Sequence, residues 1–355
     1  MSDTVVTSDQ AIQWRSEWAV SQSVWMRWPY RRDVWPDAGK AVQDEFLTVL
    51  HALAERNIPV SLQVHPDSPI PAGLPDQVTV HRVLFGDIWL RDCAPFIDVQ
   101  GQTALHYGFD GWGGIDDQQR LDLSARDWLS DTLKLAHSEH AWVLEGGALH
   151  HDGEGTAIAC AGSILHRPNN QGLTDRILRE HLQASFAIDK LLMLPGKLTA
   201  DETGGHVDNL ACFIGPGEVV VAHTGDPSHP DYATCRRVYD FLVSSTDAQG
   251  RALKVHTLPL PRPPRLNAAE AVAIQHRPGV RKRIAGMQLM ASYVNFLRVR
   301  HEQRDLVVLP AFGLPSDEKA LAQMQQLLPN AEVILAPARH LLVGGGGWHC
   351  ATFPY

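Results

Sequence analysis

Apolar positions along the chain alternate between a helical period and an extended one. From Ala41 to Arg56, the residues Val42, Phe46, Val49, Leu50 and Leu53 recur at helical spacing, and Pro59–Val64 then reads as a strand. The same succession returns later. A helix over Thr174–Leu182 precedes a strand at Lys190–Leu194, and a helix over Asp317–Leu328, with Ser316 as its N-cap, precedes a strand at Glu332–Leu335. Glu218–Ala222 and Asp305–Leu309 are further β-like runs that end in Gly/Pro turns. This rhythm predicts an α/β protein, built either as a doubly wound sheet or as a set of similar blades. The period is faint, so the rhythm by itself points to an open α/β sheet. Pro261–Arg265 is the best linker candidate, but it is short and proline-rich and reads as a rigid surface loop, so one domain spanning 1–355 is expected.

Composition narrows the class. A chain of 355 residues with 44% hydrophobic content can bury a large core. Its formal net charge of −9 argues against a nucleic-acid partner and mildly favours cationic ligands. The start, Met1–Thr7, has neither a basic nor an apolar segment of the secretory kind, and no apolar run approaches the roughly 18 residues of a membrane span. Five cysteines, Cys93, Cys160, Cys212, Cys235 and Cys350, lie far apart and read as reduced thiols rather than a disulfide frame or a zinc ribbon. The expected setting is therefore cytoplasmic, with no membrane partner.

Candidate chemistry concentrates in four stretches. Gly344-Gly345-Gly346-Gly347 precedes Trp348-His349-Cys350 close to the C-terminus, and such a run costs chain entropy unless geometry demands it. Cys350 is then either a working thiol or a small buried hydrophobe. Asp201–Asn209 offers His206 and Asp208, two positions apart and so on one face of an extended strand. Trp89-Leu90-Arg91-Asp92 and Glu145-Gly146-Gly147 add two carboxylates. By the same alternation, His349 points away from Cys350 and serves a different place, and Arg91 points away from Asp92.

In this order these motifs resemble the agmatine deiminase family, relatives of bacterial-type peptidylarginine deiminases. Trp28-Pro29, Gly153–Thr156, Pro216–Val219, Leu258–Pro261 and Ala291–Phe296 extend the resemblance over nearly the whole chain. It implies a five-bladed, pseudo-symmetric α/β-propeller of ββαβ units, the pentein-like architecture, at about 71 residues per blade. It also implies hydrolysis of a guanidinium without cofactor or metal. Cys350 would be the nucleophile, His206 the acid and base, Glu145 the residue that steadies His206, and Asp92 and Asp208 the carboxylates that grip the guanidinium nitrogens. Trp89 would form an aromatic wall if its stretch turns, and Gly345 and Gly346 would admit the substrate carbon to the sulfur.

The expected partner is a small guanidino compound, with agmatine favoured over arginine. Acids and aromatics outnumber bases in the motifs, and an unpaired Glu202 would accept a primary ammonium while repelling an α-carboxylate. Homo-oligomerisation is left open. Some residues depart from the family pattern: Trp348, Gly204, the His106–Trp112 stretch and the tail Ala351–Tyr355, with Trp348 and Phe353 as candidates for reshaping the pocket. Alternatives are the same chemistry on arginine, peptidyl arginine or another guanidine, amidino transfer, and a metallohydrolase built from His206, Asp208 and some of His150, His151, His223 and His229. The spacing of these histidines matches no usual ligand motif.

Overall fold

The computed structural model describes residues 11–355; the Met1–Thr7 start lies outside them. The alternating periods fold into five small sheets and not into one open sheet. One sheet holds β1 (Val24–Arg27), β2 (Val60–Val64) and β3 (Val78–Arg82) in parallel. The next two hold β4 (Phe96–Ile97), β5 (Thr103–Gly108) and β6 (Ala136–Val143), then β7 (Leu149–His151), β8 (Thr156–Ala159) and β9 (Lys190–Met193). The last two hold β10 (Ala211–Gly215), β11 (Glu218–His223) and β12 (Lys254–Pro259), then β13 (Leu297–His301), β14 (Arg304–Ala311) and β15 (Glu332–Pro337).

From β4 onward every unit is the same ββαβ device. A short antiparallel pair is followed by a helix that carries the chain to a third strand parallel to the second. The crossover helices are Gln119–Leu133, Asp175–Phe186, Tyr232–Val243 and Ser316–Leu327. The first sheet obtains its antiparallel strand from the other end of the chain. There β16 (Thr352–Pro354) pairs with β1 through Val24–Pro354, Trp25–Phe353 and Met26–Thr352. This pairing closes a five-bladed α/β-propeller and anchors the segment that carries Cys350. The open-sheet expectation is thereby corrected: each new unit begins with a hairpin, which ends one sheet and starts another.

Local signals behave as their chemistry requires. The first helix spans Lys40–Ala54, and Val42, Phe46, Val49, Leu50 and Leu53 form its buried face. Thr174 caps Asp175–Phe186 by accepting from the Ile177 amide at 3.3 Å. Ser316, expected as an N-cap, is instead the first helical residue. Asp317 satisfies the neighbouring donors, its carboxylate accepting from the amides of Phe312, Gly313 and Leu314 at 3.1, 2.8 and 3.1 Å. Pro261–Arg265 runs as a loop pinned between buried Leu260 and Leu266, with the Pro261 carbonyl 3.1 Å from His229. Among the described residues no helix is long and apolar enough to cross a membrane.

Candidate active site

The chain just before the first strand of each blade reaches one common point. Asp92 lies four residues before β4, Glu145 four before β7, Asp208 three before β10, Asn295 two before β13 and Cys350 two before β16. These segments turn; they are not strands. Leu90–Cys93, Gly146–Ala148 and Val207–Asn209 are single helical turns. His206 and Asp208 do converge, but because a tight turn re-aims them rather than through strand alternation.

The contacts at this point are direct. The Cys350 sulfur lies 3.2 Å from Asp208 Oδ2 and accepts from Asn295 Nδ2 at 3.0 Å. His206 Nε2 is 2.7 Å from Glu145 Oε2, and its Nδ1 is 3.7 Å from Asp92 Oδ1. Glu145 is also paired with Arg167. Asp92 accepts from Trp112 Nε1 at 2.8 Å and from the Gly147 amide at 3.0 Å, so both of its oxygens are oriented. A Cβ at Gly147 would stand 2.7 Å from His206 Nδ1, 2.8 Å from Asp92 Oδ1 and 3.0 Å from Asp208 Oδ2, so only glycine leaves room at the centre. Asn295 and Trp112 lie in stretches that the resemblance covers, but it does not single them out as site residues, and Arg167 carries no motif signal. Asn295 sits in the Ala291–Phe296 stretch, where its amide gives no hint that it meets the thiol.

Burial sets the charges. None of Cys350, His206, Asp208, Asp92 and Glu145 exceeds 5% exposure. Burial pulls the His206 imidazolium down, but Asp92 and the Glu145 hydrogen bond overcome it and push the group up to about 10. Asp92 is raised to about 6 by burial, against the pull of His206. Asp208 is held below the usual carboxylate range although burial opposes this, chiefly by its hydrogen bond from His349. The Cys350 thiol is pushed well above its ordinary range by burial and then by Asp208 and Asp92. Iodoacetamide labelling of Cys350, read by peptide mass spectrometry on the free protein, is therefore expected to climb with pH without levelling below about pH 9. A plateau near neutrality would show that the resting thiol is already ionised.

A cleft opens onto the sulfur, lined by Trp89, Asp92, Trp112, His206, Gly345, Gly346 and Cys350 among others. Trp89 reaches it because its stretch turns, as the side-chain argument required. Within the glycine run only Gly345 has positive φ, at 113°. Gly346 is needed for space, since a Cβ there would lie 2.6 Å from the Trp89 ring.

Several expectations are corrected. Glu202 lines the cleft but is not unpaired: Arg283 lies 3.0 Å and Arg281 3.5 Å from its carboxylate, and both arginines line the cleft too. Trp348 and Phe353 do not shape this cleft. Trp348 is fully buried against Phe46, at 5.3 Å between ring centroids, and Phe353 faces a second cavity with Glu17 and Arg91. His349 does not serve a separate place: Trp348–Ala351 is a turn, and the His349 Nδ1 is 2.9 Å from Asp208 Oδ2. Among the described residues, the groups of three potential metal ligands are Glu17–His150–His349 and His106–His137–Glu139, and neither contains His206 or Asp208.

Known proteins share this arrangement of the chain. The model of the Porphyromonas-type peptidyl-arginine deiminase family matches residues 13–355. Agmatine deiminase of Pseudomonas syringae pv. tomato is 36% identical over 348 residues, covering 95% of this chain and 93% of that protein. The agmatine deiminase of Stutzerimonas stutzeri is 38% identical over 352 residues with the same coverage. The solved structure of Enterococcus faecalis agmatine deiminase superposes with a TM-score of 0.91 at 30% identity, covering 98% of each chain. With a match running from the first blade to the closing strand, the chain belongs to the Porphyromonas-type peptidyl-arginine deiminase family.

Proposed function

We propose that the chain, acting over 1–355 as one catalytic unit, hydrolyses the guanidinium of agmatine to N-carbamoylputrescine and ammonia through an amidino-thioether on Cys350. The observation that carries this reading is the buried convergence of a thiol, an imidazolium and two carboxylates around the space that Gly147 leaves open. A guanidinium is planar and cationic, and its carbon resists attack unless its charge is held and its leaving group protonated. Asp92 and Asp208 hold the nitrogens. The arriving positive charge offsets the two carboxylates that raise the Cys350 thiol, which releases its proton to solvent and attacks the central carbon. His206, steadied by Glu145, gives its proton to the departing nitrogen, and ammonia leaves. The neutral His206 then takes a proton from water, whose oxygen attacks the amidino carbon; the carbon–sulfur bond breaks, the remaining proton on that oxygen passes to the departing thiolate and restores the thiol, and the substituted urea departs. These steps use only the chain's own groups and water.

Agmatine is favoured by the wall of the cleft beyond the sulfur. Asp33, Asp87 and Asp116 line it and share Arg31 at 2.5, 3.4 and 2.6 Å; Asp33 is also 3.2 Å from Arg277 and burial raises Asp87 to about 7, so the wall offers a primary ammonium a set of acid oxygens and not a large excess of charge. Ammonia release and product chromatography on agmatine, arginine and a peptidyl-arginine test the reading. Agmatine is expected to turn over at least about a hundredfold better than arginine in kcat/KM, roughly 2.7 kcal/mol in the transition state. Equal rates would mean that Arg281 and Arg283 accept the α-carboxylate and that agmatine is not the preferred substrate.

A further inference from the structure

We propose that His349 is a positioning residue that keeps Asp208 ionised and aimed at the guanidinium, an inference that rests on the deiminase reading above. Its Nδ1 lies 2.9 Å from Asp208 Oδ2, the same oxygen that faces the Cys350 sulfur at 3.2 Å. Its Nε2 is buried, 3.4 Å from Glu17 Oε1, and makes no hydrogen bond. Glu17 is gripped by Arg91 at 2.8 and 3.4 Å, and Arg91 belongs to the same turn as Asp92. A buried row thus runs Asp208, His349, Glu17, Arg91 with alternating sign, starting at the thiol and ending at the second cavity, which Glu17 and Arg91 line.

The groups that face His349 decide its charge. Asp208 and Glu17 are anions in reach of its two nitrogens. Arg91 opposes a positive charge there but is engaged with Glu17. His150, at 6.1 Å between ring centroids, is kept neutral by burial, its imidazole pushed down to about 3. Burial and Arg91 pull the His349 imidazolium down, yet Glu17 and Asp208 together hold it above its ordinary value. The consequence appears in the two carboxylates of the site. Asp92 and Asp208 are both buried, but Asp92 is raised to about 6 while Asp208 is depressed, and Asp208 is the one that accepts from His349. A protonated acid could not hold a guanidinium. Glu17, His150 and His349 also offer donor atoms within 4.8 Å of one another, but the Arg91 charge on Glu17 opposes a metal ion there, and the row reads as an ionic one.

Two substitutions separate charge from shape. His349→Asn leaves an amide N–H near the position of Nδ1 and removes the charge, while His349→Leu removes both. Calorimetric binding of n-butylguanidinium, at about pH 6 and about pH 8, reads the state of Asp208 without requiring turnover. In the asparagine variant the carboxyl pKa rises, so Asp208 gains a proton as pH falls. The affinity loss relative to wild type is expected to be at least about tenfold greater at the lower pH. Glu17→Gln, which removes the counter-charge of His349, is expected to act in the same direction but less. Ammonia release should show the acid limb of kcat/KM moved to higher pH. An equal loss at both pH values in the asparagine variant, with an unmoved limb, would overturn the proposal and reduce His349 to a packing contact. Wild-type protein that binds no guanidinium would instead overturn the functional reading itself.

Discussion

Replacing Cys350 by alanine is expected to lower ammonia release by at least about 10⁴-fold, the order seen when a covalent nucleophile is removed. Cys350→Ser should fall nearly as far, because a hydroxyl in the same buried, acid-flanked position ionises even less readily than the thiol. The fold should survive both changes. What anchors this segment is the β16–β1 pairing and the hydrogen bond from the Thr352 hydroxyl to the Trp348 carbonyl at 2.7 Å, neither of which involves the sulfur. Circular dichroism and thermal unfolding check this. Near-normal turnover in a folded alanine variant would remove Cys350 from the chemistry. Because His206 serves both formation and hydrolysis of the intermediate, the adduct is sought in the wild-type protein: a mass increase on Cys350 in samples acid-quenched during turnover of agmatine would capture it.

Asp92→Asn and Asp208→Asn are each expected to cost about 3 kcal/mol in kcat/KM, somewhat over a hundredfold. Each substitution keeps the shape and removes a charge that faces the cation. Each also introduces an amide N–H₂ among groups that already donate. Both oxygens of Asp92 accept, one from Trp112 and one from Gly147, so an asparagine must set its donor against one of them. Asp208 accepts from the Asn209 side chain at 3.0 Å on one oxygen and from His349 on the other, with the same outcome. The two losses should be of similar size and should not add in the double variant, because the carboxylates act on one guanidinium. Two single variants with near-normal kcat/KM would make both carboxylates structural.

The sequence by itself determined the local elements and pointed to the side chains that meet at the centre. Helical spacing from Val42 to Leu53 locates the first helix to within two residues at either end, because burying one apolar stripe is a property of the segment alone. The family resemblance of their motifs singles out Cys350, His206, Glu145, Asp92 and Asp208, and the fold brings these five side chains together. Tertiary structure decided which strands share a sheet. Strands of two to eight residues carry too little pattern to name a partner, and the pair that closes the ring joins the two ends of the chain. It also decided every orientation at the centre. Strand alternation misleads for Trp89, which shares the cleft with Asp92, and for His349–Cys350; it reaches the right answer for Arg91, which turns from Asp92 to Glu17, and for His206–Asp208, but for the wrong reason, because all three stretches are turns. The partners of Glu202 and His349 come from remote segments, Arg283 in one case and Glu17 in the other. A buried charge takes the counter-charge that the closed ring brings within reach, and no spacing between neighbours in the chain encodes that choice.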